Sequence, residues 1–197
     1  MIAPPLPVTY YTASGARVDF LRPYDTPIRA NDLYLHSSRI CRNGGARAWS
    51  LLQHSTLVAV LAQQNRCDSE VIAYAGVHDL HECYVGDLVT AMKALLPDFK
   101  PRIERPWEAH VHLACALLFP PPPRVADLVK RLDHRAFQIE VVMLEHPMVR
   151  DPDSLRVLRE HPVQLWEQAA FFEVASATDE QNWRRLVSLV PGLERLP

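Results

Sequence analysis

Three apolar stretches of this chain each carry a group that is costly to bury. His54 lies midway along Leu51 to Leu61, His78-Asp79 follows the apolar run from Val71 to Val77, and Asp133 comes directly after Leu132. The first stretch is apolar around much of its circumference, the pattern of a central buried helix. An unpaired carboxylate in such surroundings is strongly disfavoured, so the fold must bring these groups to partners. A divalent ion is one partner that satisfies several at once, and imidazole with carboxylate suits Zn, Mn, Fe, Co or Ni. Adjacent positions on a helix point about 100° apart, yet His78 and Asp79 can still both reach an ion in a groove between helices. His54 and Asp133, from two other helices, would complete the shell and leave open positions for water and a phosphate oxygen. The plainer alternative is a set of hydrogen-bonded core residues. Periodicity alone does not select Asp133 over Asp127.

The rest of the chain reads as mostly helix. Residues 8 to 20 hold two short β-prone runs around Ser14-Gly15, the pattern of a small hairpin. After Pro27, Asn31 and Asp32 offer N-caps for a helix that Gly44-Gly45 ends. Helices are expected over Trp49 to Gln64, Val71 to Tyr84, Val89 to Leu96 and Trp107 to Phe119, and Pro120 to Pro123 should be a loop. Helical spacing resumes at Val125 and can run to Pro147. Asp151-Pro152-Asp153 marks another start, Pro162 a break, and Thr178 with Gln181 a capping box. The expected fold is an all-α helical bundle with a small N-terminal β-hairpin, one domain over residues 1–197.

Composition narrows the function classes. Twenty-one Lys and Arg against 23 Asp and Glu give a formal net charge of -2, so no basic excess points to nucleic acid. The longest apolar run, near Leu113 to Phe119, is too short for a bilayer, and the first residues lack a signal-peptide pattern. The expectation is a cytoplasmic protein with no membrane or nucleic-acid partner. Cys41, Cys67, Cys83 and Cys115 form no CxxC pair and read as reduced, mostly buried thiols.

The segment after His78-Asp79 is dense in chemistry: Leu80-His81-Glu82-Cys83-Tyr84-Val85-Gly86-Asp87, with Lys93 beyond. On a continuous helix, Glu82 shares the face of His78 and Asp79. A carboxylate there can orient a water or protonate a leaving oxygen. Lys93 offers a mobile positive charge for phosphate, and Arg39 and Arg42 offer forked donors. The plainer alternative is a solvated charged end with ordinary surface pairs. Trp49 and Tyr84 could stack on a base, although core packing is the default for such rings.

These pieces in order resemble the HD-domain metal-dependent phosphohydrolases, in particular the group of bacterial 5′-deoxynucleotidases and phage enzymes that hydrolyse dATP. The matching segments are Ser38 to Gly45, Trp49 to Ser55, His78 to Asp87, Lys93 and Leu132-Asp133, with Thr12 to Asp19 similar to the opening of phage members. The resemblance covers about residues 8–145. It implies metal ligands at His54, His78, Asp79 and Asp133, an acid/base or water-orienting role for Glu82, and a second catalytic carboxylate at Asp87. It implies phosphate contacts at Arg39 and Lys93, with Arg42 a further candidate, and leaves open a second ion such as Mg at the phosphates. Gln53 stands where many relatives have Glu. A homo-oligomer, dimer or hexamer, is implied too, with the run Ala169-Ala170-Phe171-Phe172 as the one sequence hint. Residues 146–197 match no motif and are expected to supply packing, an interface or part of the pocket rim. The expected activity is release of triphosphate from deoxynucleoside triphosphates, dATP preferred. The alternatives are a 5′-deoxynucleotidase acting on dNMPs and a non-catalytic nucleotide-binding module.

Overall fold

A computed structural model describes residues 9–197, apart from the side chain of Asn43. The expected hairpin is present: β1 (Thr9–Tyr11) pairs antiparallel with β2 (Arg17–Asp19), Tyr10 opposite Val18. Val8, which the sequence placed in the first run, lies outside the described residues. The remaining elements are helices: α1 (Ala30–Arg39), α2 (Leu51–Gln64), α3 (Ser69–Val77), α4 (Glu82–Val85), α5 (Thr90–Leu95), α6 (Arg105–Ala114), α7 (Pro123–Met143), α8 (Pro152–Glu160), α9 (Leu165–Ser176) and α10 (Asp179–Leu189). Among the described residues no helix is long and apolar enough to cross a membrane.

The central position of α2 follows from its sequence. It packs on α1, α3, α7, α9 and α10, and Gln53, Gln63 and Gln64 are its only residues that are not buried. Each fully buried leucine of this kind contributes about 1.5–3 kcal/mol. The helix starts at Leu51 rather than Trp49 because Ser50 caps it. The Gln53 backbone N–H donates to Ser50 Oγ at 3.1 Å, and Gln53 Oε1 accepts from the Ser50 N–H at 2.9 Å. Gln53 thus closes a reciprocal capping box. The expected boxes and caps at Thr178 and Asp151 also form.

Several boundaries differ from expectation for identifiable reasons. Arg29, not Asn31 or Asp32, occupies the N-cap of α1. Asp32 is instead buried inside the helix, where its carboxylate accepts from Ser14 N at 2.8 Å and Ser14 Oγ at 2.7 Å, so it anchors the hairpin turn. The helix ends at Arg39, well before Gly44-Gly45. The single helix expected over Val71 to Tyr84 breaks after Val77, since Leu80 N bonds Val77 O and Glu82 N bonds Asp79 O in three-residue turns. The last proline of the Pro120 to Pro123 tract is the first residue of α7, a position where its missing N–H costs nothing. α7 ends at Met143 rather than Pro147, and the helix expected over Trp107 to Phe119 is shifted back to Arg105–Ala114. Only Cys83 and Cys115 are buried thiols, while Cys41 is exposed. The run Ala169 to Phe172 is divided, with Ala170 and Phe171 in the core and Phe172 at the surface.

Gly192 shows how tightly the C-terminal end closes on the bundle. A Cβ there would stand 2.0 Å from the Cys115 carbonyl oxygen, a backbone atom that cannot move aside cheaply. Overpacking of this kind costs about 1–3 kcal/mol. Gly192→Ala is expected to lower the melting temperature by about 2–10 °C, read by thermal denaturation.

Candidate metal centre

Three elements bring the four expected ligands together. His54 comes from α2 and is fully buried, Asp133 from α7, and His78-Asp79 from the turn that follows α3. His54 Nε2 lies 3.1 Å from Asp133 Oδ1, 3.6 Å from Asp79 Oδ2 and 3.4 Å from His78 Nε2. His78 Nε2 lies 3.2 Å from Asp79 Oδ2 and 3.7 Å from Asp133 Oδ1. Ligands about 2.1 Å from one ion stand about 3.4 Å apart in a tetrahedron and about 3.0 Å apart as octahedral neighbours. The separations scatter around those edges, so the donor set fits one divalent ion. Asp127, the alternative the sequence left open, is instead paired with Arg131 on the exposed side of α7.

Both imidazoles are oriented by their other nitrogen. His78 Nδ1–H donates to the Ala75 carbonyl at 2.7 Å, and His54 Nδ1 is 2.6 Å from Glu140 Oε1. Each ring therefore turns its Nε2 lone pair to the shared centre, the arrangement that holds a metal-binding histidine in the right tautomer. Glu140 was missed by sequence reasoning, yet a signal existed. It follows Asp133 by seven positions on one helix, which returns it to nearly the same face.

The electrostatics describe an electron-rich pocket. Burial alone would drive the proton from His78, but Asp79 and Asp133 outweigh it and hold this imidazolium well above its usual range. His54 moves in the same direction, with burial and Arg42 opposing and Glu140 and Asp133 prevailing. Asp79 and Asp133 are both held below the usual carboxylate range, against burial, chiefly by the two histidines. A group of this composition binds positive charge, as protons or as a metal ion. Glu82 behaves oppositely: burial, with Asp79 and Asp87 nearby, raises it well above an ordinary glutamate. Its Oε2 is buried, has no hydrogen-bond partner and sits 4.0 Å from Arg42 Nη1.

The cations divide. Arg42 Nη1 donates to Asp79 Oδ2 at 2.8 Å and faces the centre. Lys93 contacts Glu104 and lies 3.5 Å from Glu82 Oε1. Arg39 is exposed at the end of α1 and lines neither large cavity, so the phosphate role expected for it has no support in the geometry. Trp49 is also corrected: it is buried, stacked on Phe171 at 4.8 Å between ring centroids, and lines neither large cavity. Tyr84 likewise stacks on Trp107 in the core. A second group, His81, Glu82 and Glu104, also has donor atoms close together, but the Lys93 ammonium already answers its charge. Nothing in the sequence pointed to Glu104, which lies outside every motif.

Two cavities of about 680 and 620 Å³ flank the centre. Asp79, Glu82, Thr90, Lys93 and Asp133 line both, so the ligand cluster sits where they meet. Asp87, Phe137 and Met148 line the first, and Lys100, His112 and Lys130 the second.

No family model matches this chain. It is similar to the uncharacterized protein YfdR of Escherichia coli (strain K12), 32% identical over 124 residues, which is 60% of this chain and 65% of that protein. The match thus spans somewhat less than two thirds of that relative. The His/Asp cluster is compatible with an HD-type domain.

One divalent ion per chain is expected by elemental analysis after incubation with Zn, Mn or Co. Asp133→Ala should abolish it, and Glu140→Gln should weaken it by about 10- to 100-fold. Stability should also depend on Glu104, whose carboxyl is held down to about 2 by His81 and Lys93 against the opposing effect of burial. Its folded value is below the usual 4.5, so its contribution is present above 4.5 and lost as pH falls through 2. Glu104→Gln should flatten that part of the stability profile, measured by denaturant melts across the acid range.

Proposed function

We propose that this protein is a metal-dependent deoxynucleotide phosphohydrolase, a triphosphohydrolase that releases deoxynucleoside and triphosphate with dATP preferred. The observation that carries the reading is the position of the ligand cluster at the junction of two large cavities. Cleavage between the α-phosphorus and the 5′ oxygen of a triphosphate separates two bulky groups, the nucleoside and the triphosphate, which two cavities accommodate. A monophosphate leaves only a small phosphate on one side. The preference for dATP rests on the similarity of the N-terminal segment, Thr12 to Asp19, and of the Arg-rich segment, Ser38 to Gly45, to phage members.

The residues that fit an ion are His54, His78, Asp79 and Asp133, and an ion held there supplies Lewis acidity that polarises a phosphoryl oxygen and favours deprotonation of water. The chain's own groups account for the remaining steps. Burial beside Asp79 and Asp87 favours the protonated form of Glu82, the form that delivers a proton to the departing 5′ oxygen as the bond to phosphorus breaks. The water oxygen forms the new bond, and its proton passes to a carboxylate, for which Asp87 at the first cavity is the candidate. Arg42 and Lys93 hold the non-bridging oxygens, Lys93 exchanging its contact with Glu82 for the phosphate. Association of copies belongs to the same reading and is supported by Leu165, Trp166 and Phe172, exposed together on α9.

Purified protein incubated with each dNTP and dNMP plus Mn or Co should release triphosphate from dATP. Orthophosphate from monophosphates with dATP left intact would replace this reading with the 5′-deoxynucleotidase, and nucleotide binding without turnover would favour the non-catalytic module. Glu82→Gln should lower turnover on the order of 10²-fold or more with metal content unchanged. Wild-type turnover in that variant would remove Glu82 from the acid role.

A further inference from the structure

Next to the first large cavity, with which it shares Arg42 and His146 as walls, lies a small space of about 10 Å³. Arg42, Trp49, Glu140 and His146 all line it. Each of these four side chains carries a buried polar atom without a hydrogen-bond partner: Arg42 Nε, Trp49 Nε1, His146 Nε2 and Glu140 Oε2. His146 Nδ1 accepts from the Met148 N–H at 3.2 Å, which leaves the ring proton on Nε2 of the neutral ring. Three N–H donors and one carboxylate oxygen thus belong to side chains that border one space, and none is hydrogen-bonded to another.

A group small enough to bridge them is selected by its chemistry. The space admits about one water-sized sphere. A cation would face three N–H donors, one of them on the Arg42 guanidinium. An anion would face the Glu140 carboxylate. A neutral molecule that both accepts and donates matches the lining, and buried waters recur at polar sites of this size. We infer that this space is a binding site for a single water, which accepts from the indole of Trp49 and from Arg42 Nε and donates to Glu140 Oε2, and that Trp49 thereby acts as a positioning residue for His54.

The consequence runs along one chain of contacts. Glu140 Oε1 takes the His54 Nδ1–H, and the water fixes Oε2, so both ends of the carboxylate are set and the imidazole plane with them. The indole is itself held, 97% buried and stacked on Phe171 with the rings within 14° of parallel. This gives the tryptophan ahead of the Ser50 cap a purpose that base stacking does not.

A crystal structure of the full chain is the direct test. It should show one water peak within about 3.2 Å of Glu140 Oε2 and of at least two of the three nitrogens. A dry space, or direct contact of a nitrogen with Oε2, overturns the proposal. Trp49→Phe keeps a stacking ring and removes the N–H. It should shift the His54 ring resonances in the NMR spectrum of the metal-free protein and weaken metal binding about 10-fold or more, measured by chelator competition. Unshifted His54 resonances overturn the positioning role, and if the variant does not fold, Trp49→Tyr, which also removes the indole N–H, is read by the same resonances in its place. Only the affinity measurement rests on the proposed metal centre. A wild-type protein that binds no metal would sink that centre, while the crystallographic and NMR readouts still decide this inference.

Discussion

The contact on which this structure turns is the buried pairing of His54 with Glu140. A fully enclosed imidazole on the central helix donates from one nitrogen to a carboxylate of α7 and presents the other to Asp79, Asp133 and His78. Burying so much polarity is affordable only where every partner is supplied. It also links three helices that are distant in sequence through a single ring. The apolar circumference of α2 makes this possible, since the neighbours that bury its leucines also carry the groups that meet its histidine.

How much of this was legible depended on whether the signal was local. Ser50 with Gln53, Thr178 with Gln181 and Asp151 before Pro152 declare helix starts because a cap is written within four residues. The His78-Asp79 pair could be read because a costly charge beside an apolar run demands a partner. Asp32 misled because its carboxylate serves the Ser14 turn, a contact made across 18 positions of sequence. Trp49 misled for a related reason, as only tertiary structure shows that its ring lies against Phe171 rather than in an open cavity. Glu140 was recoverable from helical period in retrospect. Glu104 was not, because its partner Lys93 arrives from a separate short helix.

His78 and Asp79 leave the backbone in directions about 100° apart, yet their side chains converge, with His78 Nε2 3.2 Å from Asp79 Oδ2. The three-residue turns that follow α3 carry Glu82 to within 4.0 Å of Arg42. The physical demand for a partner at each charge reaches His54, His78 and Asp79 without the resemblance to HD-domain proteins, and the choice of Asp133 over Asp127 is made by the geometry. YfdR, itself uncharacterized, adds kinship over part of the chain without adding a role.

The 21-residue α7 carries Asp133, Phe137 and Glu140 along one rod. Ligand, cavity wall and the brace of His54 therefore translate as a unit whenever that rod shifts against α2. Because His54 stays on α2 while Asp133 and Glu140 travel with the rod, such a sliding motion would change the width of the aperture and the bite of the donors together, which ties admission to grip through one helix.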